Sequence, residues 1–259
     1  MARDDRWQAL LELLAGRGRL EVEEAAAELS VSAATIRRDF DRLAEQRMLV
    51  RTRGGAVAHG VSYELPLRYK TARRASEKQR IAQAVAELVS PGEAVGLTGG
   101  TTTTEVARAL AVRGDLASGS PALTVVTNAL NIAGELAVRP QFKIVVTGGV
   151  ARPQSFELVG PLADGVLAQL TVDVTVLGVV AFDVMHGAAA HDEAEAAVNR
   201  VLCERARRVV VAADSSKLGQ RAFARICAAE VVNTLVTDSA ADPDTVRRFE
   251  EAGVRVVTV

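Results

Sequence analysis

The residues of this chain best suited to chemistry are arginines, and six of them lie in one short segment. From Val31 to Ala56 the sequence reads VSAATIRRDFDRLAEQRMLVRTRGGA. An arginine side chain neutralises phosphate and can hold guanine through two parallel hydrogen bonds. Residues 37–80 carry 12 basic and 5 acidic side chains, a net charge of +7, whereas residues 81–259 carry a net charge of −5. Such a basic block is typical of a face that binds a polyanion, although a solvated linker rich in arginine would have the same composition.

Helices and a hairpin are needed to position these arginines. Apolar residues recur at helical spacing first over residues 7–14 and then over residues 22–29. Ser32 is a good N-cap residue and begins a third helix. The glycine-tipped turn at residues 51–55 lies between two short apolar runs, which predicts a β-hairpin. This order of elements predicts a winged helix-turn-helix over residues 1–58.

A third helix of this kind enters the major groove of double-stranded DNA with its first residues against the base edges. The wing would reach the backbone or an adjacent groove. Contact with bases and contact with phosphates are both open to these side chains. The alternative is a three-helix interaction domain that does not bind DNA. The joint occurrence of the cap, the arginine pair and the wing makes this alternative less favoured. The residues that we expect near DNA are Ser32, Thr35, Arg37, Arg38, Arg51 and Arg53.

The rest of the chain alternates helical patterns with short apolar runs, which predicts a Rossmann-like open α/β sheet. We expect residues 59–75 to form a linker and residues 76–259 to form one α/β effector-sensing domain. The predicted helices are Glu77–Val89, Thr103–Val112, Ala129–Val138, Glu193–Arg207 and Pro243–Ala252. The predicted strands are Ala94–Thr98, Thr124–Thr127, Lys143–Thr147, Thr171–Val180, Arg208–Ala213, Thr234–Thr237 and Val254–Thr258.

Small and polar residues follow these strands, at the edge where open α/β sheets bind ligands. The turn Gly99-Gly100-Thr101-Thr102 opens a helix, so its amides and hydroxyls suit phosphate, although a plain strand–helix connection would look alike. No Gly-Lys-Ser/Thr follows it, which excludes a nucleotide P-loop. Lys217, one of four lysines, comes after a later strand. Two interpretations of this lysine are open: a compact counter-charge for phosphate, or an ordinary surface residue.

Taken together, these motifs resemble the DeoR-type family of bacterial transcriptional regulators over nearly the whole chain. The resemblance implies a DNA-binding helix-turn-helix over residues 20–39 and a C-terminal domain similar to the phosphosugar isomerase fold, which senses a phosphorylated sugar or related metabolite. The matching N-terminal residues are Val31-Ser32, Thr35-Ile36-Arg37-Arg38-Asp39, Leu43, Arg51 and Gly54-Gly55-Ala56. The matching C-terminal residues are Gly100-Thr101-Thr102, Thr127-Asn128, Gly148-Gly149, Gly160-Pro161, Asp214-Ser215-Ser216-Lys217 and Thr237-Asp238.

The likeness also assigns an effector site. It implies that the first three of the following residues hold phosphate and that the others line the sugar and phosphate site, with Glu195 nearby. The stretch Val179–Asp183 is bulkier and more apolar than the glycine-rich turn often found there, which leaves the identity of the sugar open. The residues assigned to the effector are Gly100, Thr101, Thr102, Asn128, Gly149 and Lys217.

The resulting prediction is a homo-oligomeric DNA-binding repressor of sugar-metabolism genes that a phosphorylated sugar releases from its operator. The alternative is an enzyme similar to phosphosugar isomerases, whose general base would come from Asp183, Asp214 or Glu195. A metabolite-binding module that never meets nucleic acid would leave the net charge of +7 in residues 37–80 unexplained.

We expect no catalytic residue, no cofactor and no metal. Cys203 and Cys227 have no metal-ligand spacing, and the spacing of His186 and His191 with Asp192 is not a compelling metal site. No apolar run approaches the roughly 18–20 residues that span a bilayer, and the N-terminus has no signal-peptide pattern. We therefore expect a cytoplasmic protein without a membrane partner.

Overall fold

The computed structural model describes residues 3–46, 48–57, 74–117 and 121–259. The chain divides into two compact units, residues 1–71 and residues 72–259, and each is described by itself. The linker predicted at residues 59–75 lies outside the described residues except for its last two. The predicted boundaries at residues 58 and 76 stay predictions.

The described part of the N-terminal unit consists of three helices and a small antiparallel sheet. In chain order its elements are α1 (Arg3–Arg17), β1 (Arg19–Glu21), α2 (Val22–Glu28), α3 (Ala33–Glu45), β2 (Val50–Thr52) and β3 (Gly55–Val57). The predicted helices and hairpin are all present. The core is filled by fully buried side chains from the three helices: Leu10, Leu11, Leu14, Ala25, Ile36, Phe40 and Leu43.

A third strand, which the sequence did not predict, ties the wing to the helices. β1 pairs with β3, so the sheet has the order β1-β3-β2. Gly55 permits this pairing, because a Cβ there would lie 2.3 Å from the carbonyl oxygen of Leu20. The amide of Val22, the first residue of α2, donates to the carbonyl of Gly54 in the turn of the wing at 2.8 Å. Three residues between two helices are too few to carry a periodic pattern, which is why the sequence missed β1.

The C-terminal unit begins with a helix and then alternates strands and helices. In chain order its elements are α4 (Ala75–Glu87), β4 (Ala94–Leu97), α5 (Thr101–Ala111), β5 (Leu123–Thr127), α6 (Leu130–Leu136), β6 (Phe142–Val146), β7 (Val150–Ala151), β8 (Leu158–Val159), α7 (Pro161–Leu167), β9 (Val172–Gly178), β10 (Ala181–Asp183), β11 (Gly187–Ala190), α8 (Glu193–Glu204), β12 (Ala206–Ala212), β13 (Ala224–Cys227), β14 (Thr234–Thr237), α9 (Pro243–Glu251) and β15 (Arg255–Thr258).

The seven predicted strands form one parallel sheet of order β15-β14-β12-β9-β4-β5-β6, which confirms the predicted fold class. Both faces of the sheet are covered. Val176 and Leu177 are neighbours in β9 but belong to different apolar clusters, because successive strand residues point to opposite faces. This double burial explains why the strands are nearly continuous apolar runs.

Several short elements were not predicted. β10, β11 and β13 form a separate antiparallel sheet, β7 pairs with β8, and α7 follows Gly160. The run predicted as a strand to Val180 ends at Gly178, and a new strand begins at Ala181. β10, β11 and β13 are rich in alanine and lack the run of Val and Leu that marks the strands of the parallel sheet. Among the helices in the described ranges, none combines the length and the apolar character needed to cross a membrane.

Candidate nucleic-acid interface and ligand crevice

The N-cap and the first two turns of α3 present two hydroxyls and an arginine pair at the surface. Ser32 caps the helix by accepting the amide of Thr35 at 3.2 Å, and the hydroxyls of these two residues lie 2.9 Å apart. Arg37 is 56% exposed and pairs with Glu23 of α2 at 3.0 Å. Arg38 is exposed, and its Nε donates to a carbonyl one turn earlier in α3. An exposed ion pair and a single exposed hydrogen bond contribute little, so both arginines can exchange these contacts for a ligand.

The acidic residue beside this pair has a structural role. Asp39 is 3% exposed. Its carboxylate accepts the Arg6 guanidinium at 2.5 and 3.2 Å and the Trp7 indole N–H at 2.8 Å. The hydrogen bond to Asp39 raises the pKa of Arg6 above its ordinary value. These contacts fasten α3 to α1, so the acid of the Arg-Arg-Asp sequence positions the helix that carries the arginines.

A depression on the surface of α3 collects further positive charge. It is lined by Arg6, Thr35, Arg38, Asp39 and Arg42. Because Arg6 offsets the charge of Asp39, the excess positive charge comes from Arg38 and Arg42. Arg42 was missing from the predicted contact residues. Helical spacing would have found it, since residues 35, 38, 39 and 42 share one face of a helix.

The two predicted wing arginines differ in what they contact. Arg51 donates to Asp41 of α3 and to the Gly55 carbonyl, both at 2.8 Å, and its guanidinium lies 5.6 Å from the centre of the Phe40 ring. Arg53 is exposed in the turn and has no hydrogen bond or ion pair with any part of the chain that the structure describes. Arg51 therefore holds the wing against α3, and its contact with DNA stays a prediction.

The strand order of the parallel sheet in the C-terminal unit reverses between β4 and β9, and such a reversal opens a crevice at the edge of the sheet. The chain runs outward from β4 through β5 to β6, and in the other direction from β9 through β12 to β14 and β15. Ligands of open α/β sheets bind at the carboxyl ends of the strands beside such a reversal. The loops after β4 and β9 are therefore the first candidates for a ligand site.

The turn after β4 has the form of an anion site. Gly100 precedes α5 with φ of 130°, a conformation that glycine adopts readily, and its carbonyl accepts the hydroxyls of Thr103 at 3.0 Å and Thr104 at 2.7 Å. Thr101 and Thr102 begin the helix, and no side chain caps its first amides. Unpaired amides at a helix start attract anions. The three residues predicted to hold phosphate are consecutive in this turn, and their contact with phosphate stays a prediction.

A buried polar cluster lies beside this turn. Glu157, which precedes β8, is 4% exposed, and a Cβ on Gly99 would lie only 2.2 Å from its Oε1. Asn128 and Asn199 donate to Glu157 Oε2 at 3.4 and 3.5 Å, and Asn128 also donates to Asn199 Oδ1 at 3.2 Å. The sequence predicted Asn128 but missed the other two. Asn199 lies within a helical pattern, and Glu157 follows no strand, so neither gave a signal.

Gly149 lies near this cluster but has a packing role of its own. Its φ is 119°, and a Cβ there would lie 2.7 Å from the Val159 carbonyl oxygen. The neighbouring Leu158 amide donates to the Asn128 carbonyl at 2.7 Å. Glycine at position 149 therefore lets β7 approach β8. Its contact with an effector stays a prediction.

Arg152 joins the same region to α8. It donates to Glu195 at 2.8 Å and lies 3.1 Å from the carboxylate of Asp192, the N-cap of that helix. No local pattern marks Arg152 in the sequence, because it is an isolated arginine in a loop.

Lys217 lies in a short 3₁₀ turn after β12, across the reversal from the Gly100 turn. Asp238, after β14, accepts the Ser215 amide at 2.6 Å and its hydroxyl at 3.0 Å. Burial raises the pKa of Asp238, but these hydrogen bonds outweigh burial and lower it overall. Arg74 donates to the Ser215 hydroxyl at 3.3 Å and lies 3.7 Å from Asp214. Two cations, Lys217 and Arg74, thus belong to this turn and its surroundings.

Models of known families match both units of the chain. The DeoR-like helix-turn-helix domain matches residues 6–60, and the DeoR C terminal sensor domain matches residues 73–239. The chain belongs to the DeoR family of transcriptional regulators. The resemblance read from the sequence is therefore confirmed, and both units have a counterpart in the DeoR family.

Relatives in the DeoR family align along nearly all of the chain. The HTH-type transcriptional regulator GlpR of Haloferax volcanii is 34% identical, over 98% of this chain and 96% of its own. The glycerol-3-phosphate regulon repressor of Escherichia coli K12 is 32% identical, over 92% of each chain. Among solved structures, ribose 5-phosphate isomerase A of Methanocaldococcus jannaschii covers 54% of this chain and 52% of its own, with 17% identity and a TM-score of 0.40.

The acids considered as general bases agree with a DeoR regulator rather than an isomerase. Asp183 accepts three hydrogen bonds from the turn after it, including the His186 ring nitrogen at 2.7 Å. Burial raises the pKa of Asp183, but these hydrogen bonds lower it overall. Asp214 caps its own turn, and Glu195 is paired with Arg152. A general base needs a pKa near the working pH. Within the described ranges, no three His, Cys, Asp or Glu side chains are grouped to hold a metal.

Proposed function

We propose that this DeoR-family chain represses sugar-metabolism genes and leaves its operator when a phosphorylated sugar binds the crevice of its C-terminal unit. The observation that carries the proposal is the pairing, within one chain, of an exposed arginine face and an anion-seeking turn at the strand reversal. The names of relatives support it, since one is called a glycerol-3-phosphate regulon repressor and another the transcriptional repressor GlcR.

The DNA interface would consist of the first turn of α3, the depression beside it and the tip of the wing. Ser32 and Thr35 would meet the duplex where α3 enters the groove. Arg42, which lines the depression, joins the predicted contacts as a phosphate ligand. The predicted arginines differ in availability: Arg37, Arg38 and Arg53 are exposed, whereas Arg51 already holds the wing.

The effector would place its phosphate at the turn that begins α5 and its sugar toward Asn128 and Gly149. The support is the set of uncapped amides at Thr101 and Thr102, next to Gly100 with its positive φ. Lys217 would supply the compact positive charge, because the carboxyl ends of β4 and β12 lie at the same edge of the parallel sheet.

Release from DNA requires that the effector distinguish two states of the protein. A ligand shifts an equilibrium only by its difference in affinity for the two states. We propose that the states are two arrangements of paired DNA-binding units in a homo-oligomer, since paired half-sites are the usual way for a small helix-turn-helix to gain affinity. The protein would act in the cytoplasm, where its DNA partner lies.

The test is a mobility-shift titration of the full chain on the DNA upstream of its own gene. Glycerol 3-phosphate, ribose 5-phosphate, glucose 6-phosphate and glucosamine 6-phosphate would be added separately, each against its unphosphorylated counterpart. We expect nanomolar binding without effector and a loss of at least tenfold in affinity with one phosphorylated compound, while its unphosphorylated counterpart has no effect.

Two outcomes would contradict the proposal. If the protein binds this DNA no more tightly than random DNA of the same length, it has no specific recognition. Retention of the same affinity with all four phosphorylated compounds would remove the sensing role. Light scattering of the same sample gives the oligomeric state, and a monomer on DNA would remove the proposed mechanism of release.

A further inference from the structure

We propose that Glu157, Asn128 and Asn199 form a subsite that recognises a hydrogen-bond donor of the effector, a sugar hydroxyl or ammonium, separately from its phosphate. The inference rests on the proposed function, because it names the part of the same crevice that would read the sugar. It adds two residues, Glu157 and Asn199, and a chemical requirement that the phosphate-binding turn does not impose.

The three side chains come from separate parts of the fold and meet beside the phosphate-binding turn. Asn128 follows β5, Glu157 precedes β8, and Asn199 belongs to α8. Their exposed fractions are 0%, 4% and 3%. Glu157 presses against Gly99, where any larger residue would collide with its Oε1. The carboxylate therefore lies immediately next to the turn, and the glycine at position 99 makes room for it.

The orientation of the Asn128 amide is fixed by its neighbours. Its Nδ2 donates to Glu157 Oε2 and to Asn199 Oδ1, which are both acceptors. Reversing the amide would set its oxygen against these two acceptors and lose both hydrogen bonds. The Oδ1 atom of Asn128 must therefore point away from them.

That oxygen is buried and has no hydrogen-bond partner among the described residues. A buried acceptor without a donor is destabilising, so such atoms in native proteins call for an explanation. A bound donor explains it directly. Asn128 follows β5, the strand next to β4, and therefore lies one strand away from the reversal between β4 and β9.

The charge of the cluster decides which part of a phosphorylated sugar it can receive. Carboxylate and amide oxygens accept hydrogen bonds, and phosphate oxygens carry no proton to donate once fully ionised. The Glu157 carboxylate would also repel a phosphate. Hydroxyl and ammonium groups satisfy the cluster, and the phosphate is left to the amides of Thr101 and Thr102 and to Lys217.

The experiment measures dissociation constants calorimetrically on the full chain. The probes are inorganic phosphate, glucose 6-phosphate, glucosamine 6-phosphate, ribose 5-phosphate and glycerol 3-phosphate. The variants are Glu157→Gln, which keeps the shape of the side chain, Asn128→Ser, and Lys217→Ala. Glu193→Gln, on the exposed start of α8, is the matched control. Thermal unfolding of each variant verifies that it folds.

We expect Glu157→Gln and Asn128→Ser to weaken the tightest sugar phosphate at least tenfold and to weaken inorganic phosphate much less, so that selectivity for the sugar falls. Lys217→Ala should weaken both probes, and Glu193→Gln neither. A larger loss for glucosamine 6-phosphate than for glucose 6-phosphate would identify an ammonium, whereas equal losses would identify a hydroxyl.

The proposed function and the subsite are contradicted by different results. If the wild-type protein binds none of the sugar phosphates, the proposed function fails and this subsite fails with it. If the wild-type protein binds one of them and both folded variants, Glu157→Gln and Asn128→Ser, keep its selectivity over inorganic phosphate, only the subsite is wrong. In that case a water molecule would be the partner of Asn128.

Discussion

The arginine face of α3 and the polar cluster behind Gly99 use charge in opposite ways. On α3, Arg37 and Arg38 are exposed, and their present contacts are with one surface glutamate and one backbone carbonyl. In the crevice, Glu157 is almost wholly buried and hydrogen-bonded to two amides. The first arrangement is suited to a large, uniformly charged partner, and the second to a small partner with fixed geometry.

The two units should gain their affinity from different kinds of interaction. Exposed charges act through a screened field, so their effect falls with salt and is spread over several side chains. Buried hydrogen-bonding groups act at short range, where one missing donor is costly. Substitutions on α3 should therefore change salt-dependent binding, whereas substitutions in the crevice should change discrimination among small molecules.

The largest effect should come from replacing Arg37 and Arg38 together by alanine. Each lost bidentate base contact costs about 1–3 kcal/mol, so operator affinity should fall on the order of 100-fold or more. Thermal unfolding should hardly change, because both side chains are exposed. Mobility-shift titration measures the loss, and the control is the joint replacement of the exposed Arg207 and Arg221 of the C-terminal unit by alanine, which removes the same two charges. Unchanged affinity would remove α3 from the DNA interface.

The next effect should come from Asp39→Ala, which leaves the part-buried guanidinium of Arg6 without its carboxylate partner. Arg6 and Trp7 would lose their shared acceptor, and leaving such donors unsatisfied costs about 1–3 kcal/mol. Chemical denaturation of the full chain should show an earlier transition for the N-terminal unit. Glu45→Ala, at an exposed position on the same helix, should leave that transition in place. Equal midpoints for the two variants would show that the anchor is dispensable.

Lys217→Ala should weaken the response to the effector and leave DNA binding by the N-terminal unit unchanged. Loss of one hydrogen bond to a charged group costs about 1.5 kcal/mol, so the effector concentration that halves DNA binding should rise about tenfold. DNA affinity without effector should stay the same. The control is Lys143→Ala, an exposed lysine of β6. A loss of DNA affinity without effector would show that Lys217 serves more than sensing.

The smallest effect distinguishes the two wing arginines. Arg53→Ala should lower the slope of log affinity against log salt by about 1 and leave stability unchanged. Arg51→Ala should instead lower the free energy of unfolding by about 1 kcal/mol, because it removes the hydrogen bonds to Asp41 and Gly55. Salt-dependent titrations and denaturation of both variants test this contrast. Identical salt slopes for the two would mean that both or neither contact DNA.

The sequence predicted the large elements well because each carries a strong local signal. The apolar residues of α1 and α3 recur at helical spacing, and the strands of the parallel sheet are continuous apolar runs. The Ser32 cap was read from residue type alone, and the hydrogen bond to the Thr35 amide confirms it. β1 and β13 pair with strands that are distant in the sequence, and β10 and β11 form a short hairpin rich in alanine, so none of the four carries the apolar run that marks the parallel strands.

The candidate sites were predictable only in part, for the same physical reason. Glycines and threonines beside a strand indicate a turn for anions, so the Gly100 turn could be found. Glu157 reaches that turn from a segment more than fifty residues later in the chain, and no sequence spacing encodes the approach. Arg51 shows the converse: its residue type suits DNA, yet its contacts with Asp41 and Phe40 become visible only in the fold.

The short strand β1 has a consequence for how fast and how firmly the protein can engage DNA. Because β1 completes the sheet of the wing and Val22 donates to Gly54, the wing and the start of α2 are hydrogen-bonded to each other within one unit. A wing held in this way loses little conformational entropy when it docks. Weakening it at Gly55, where any side chain would collide with Leu20, should therefore slow productive association even if every arginine is retained.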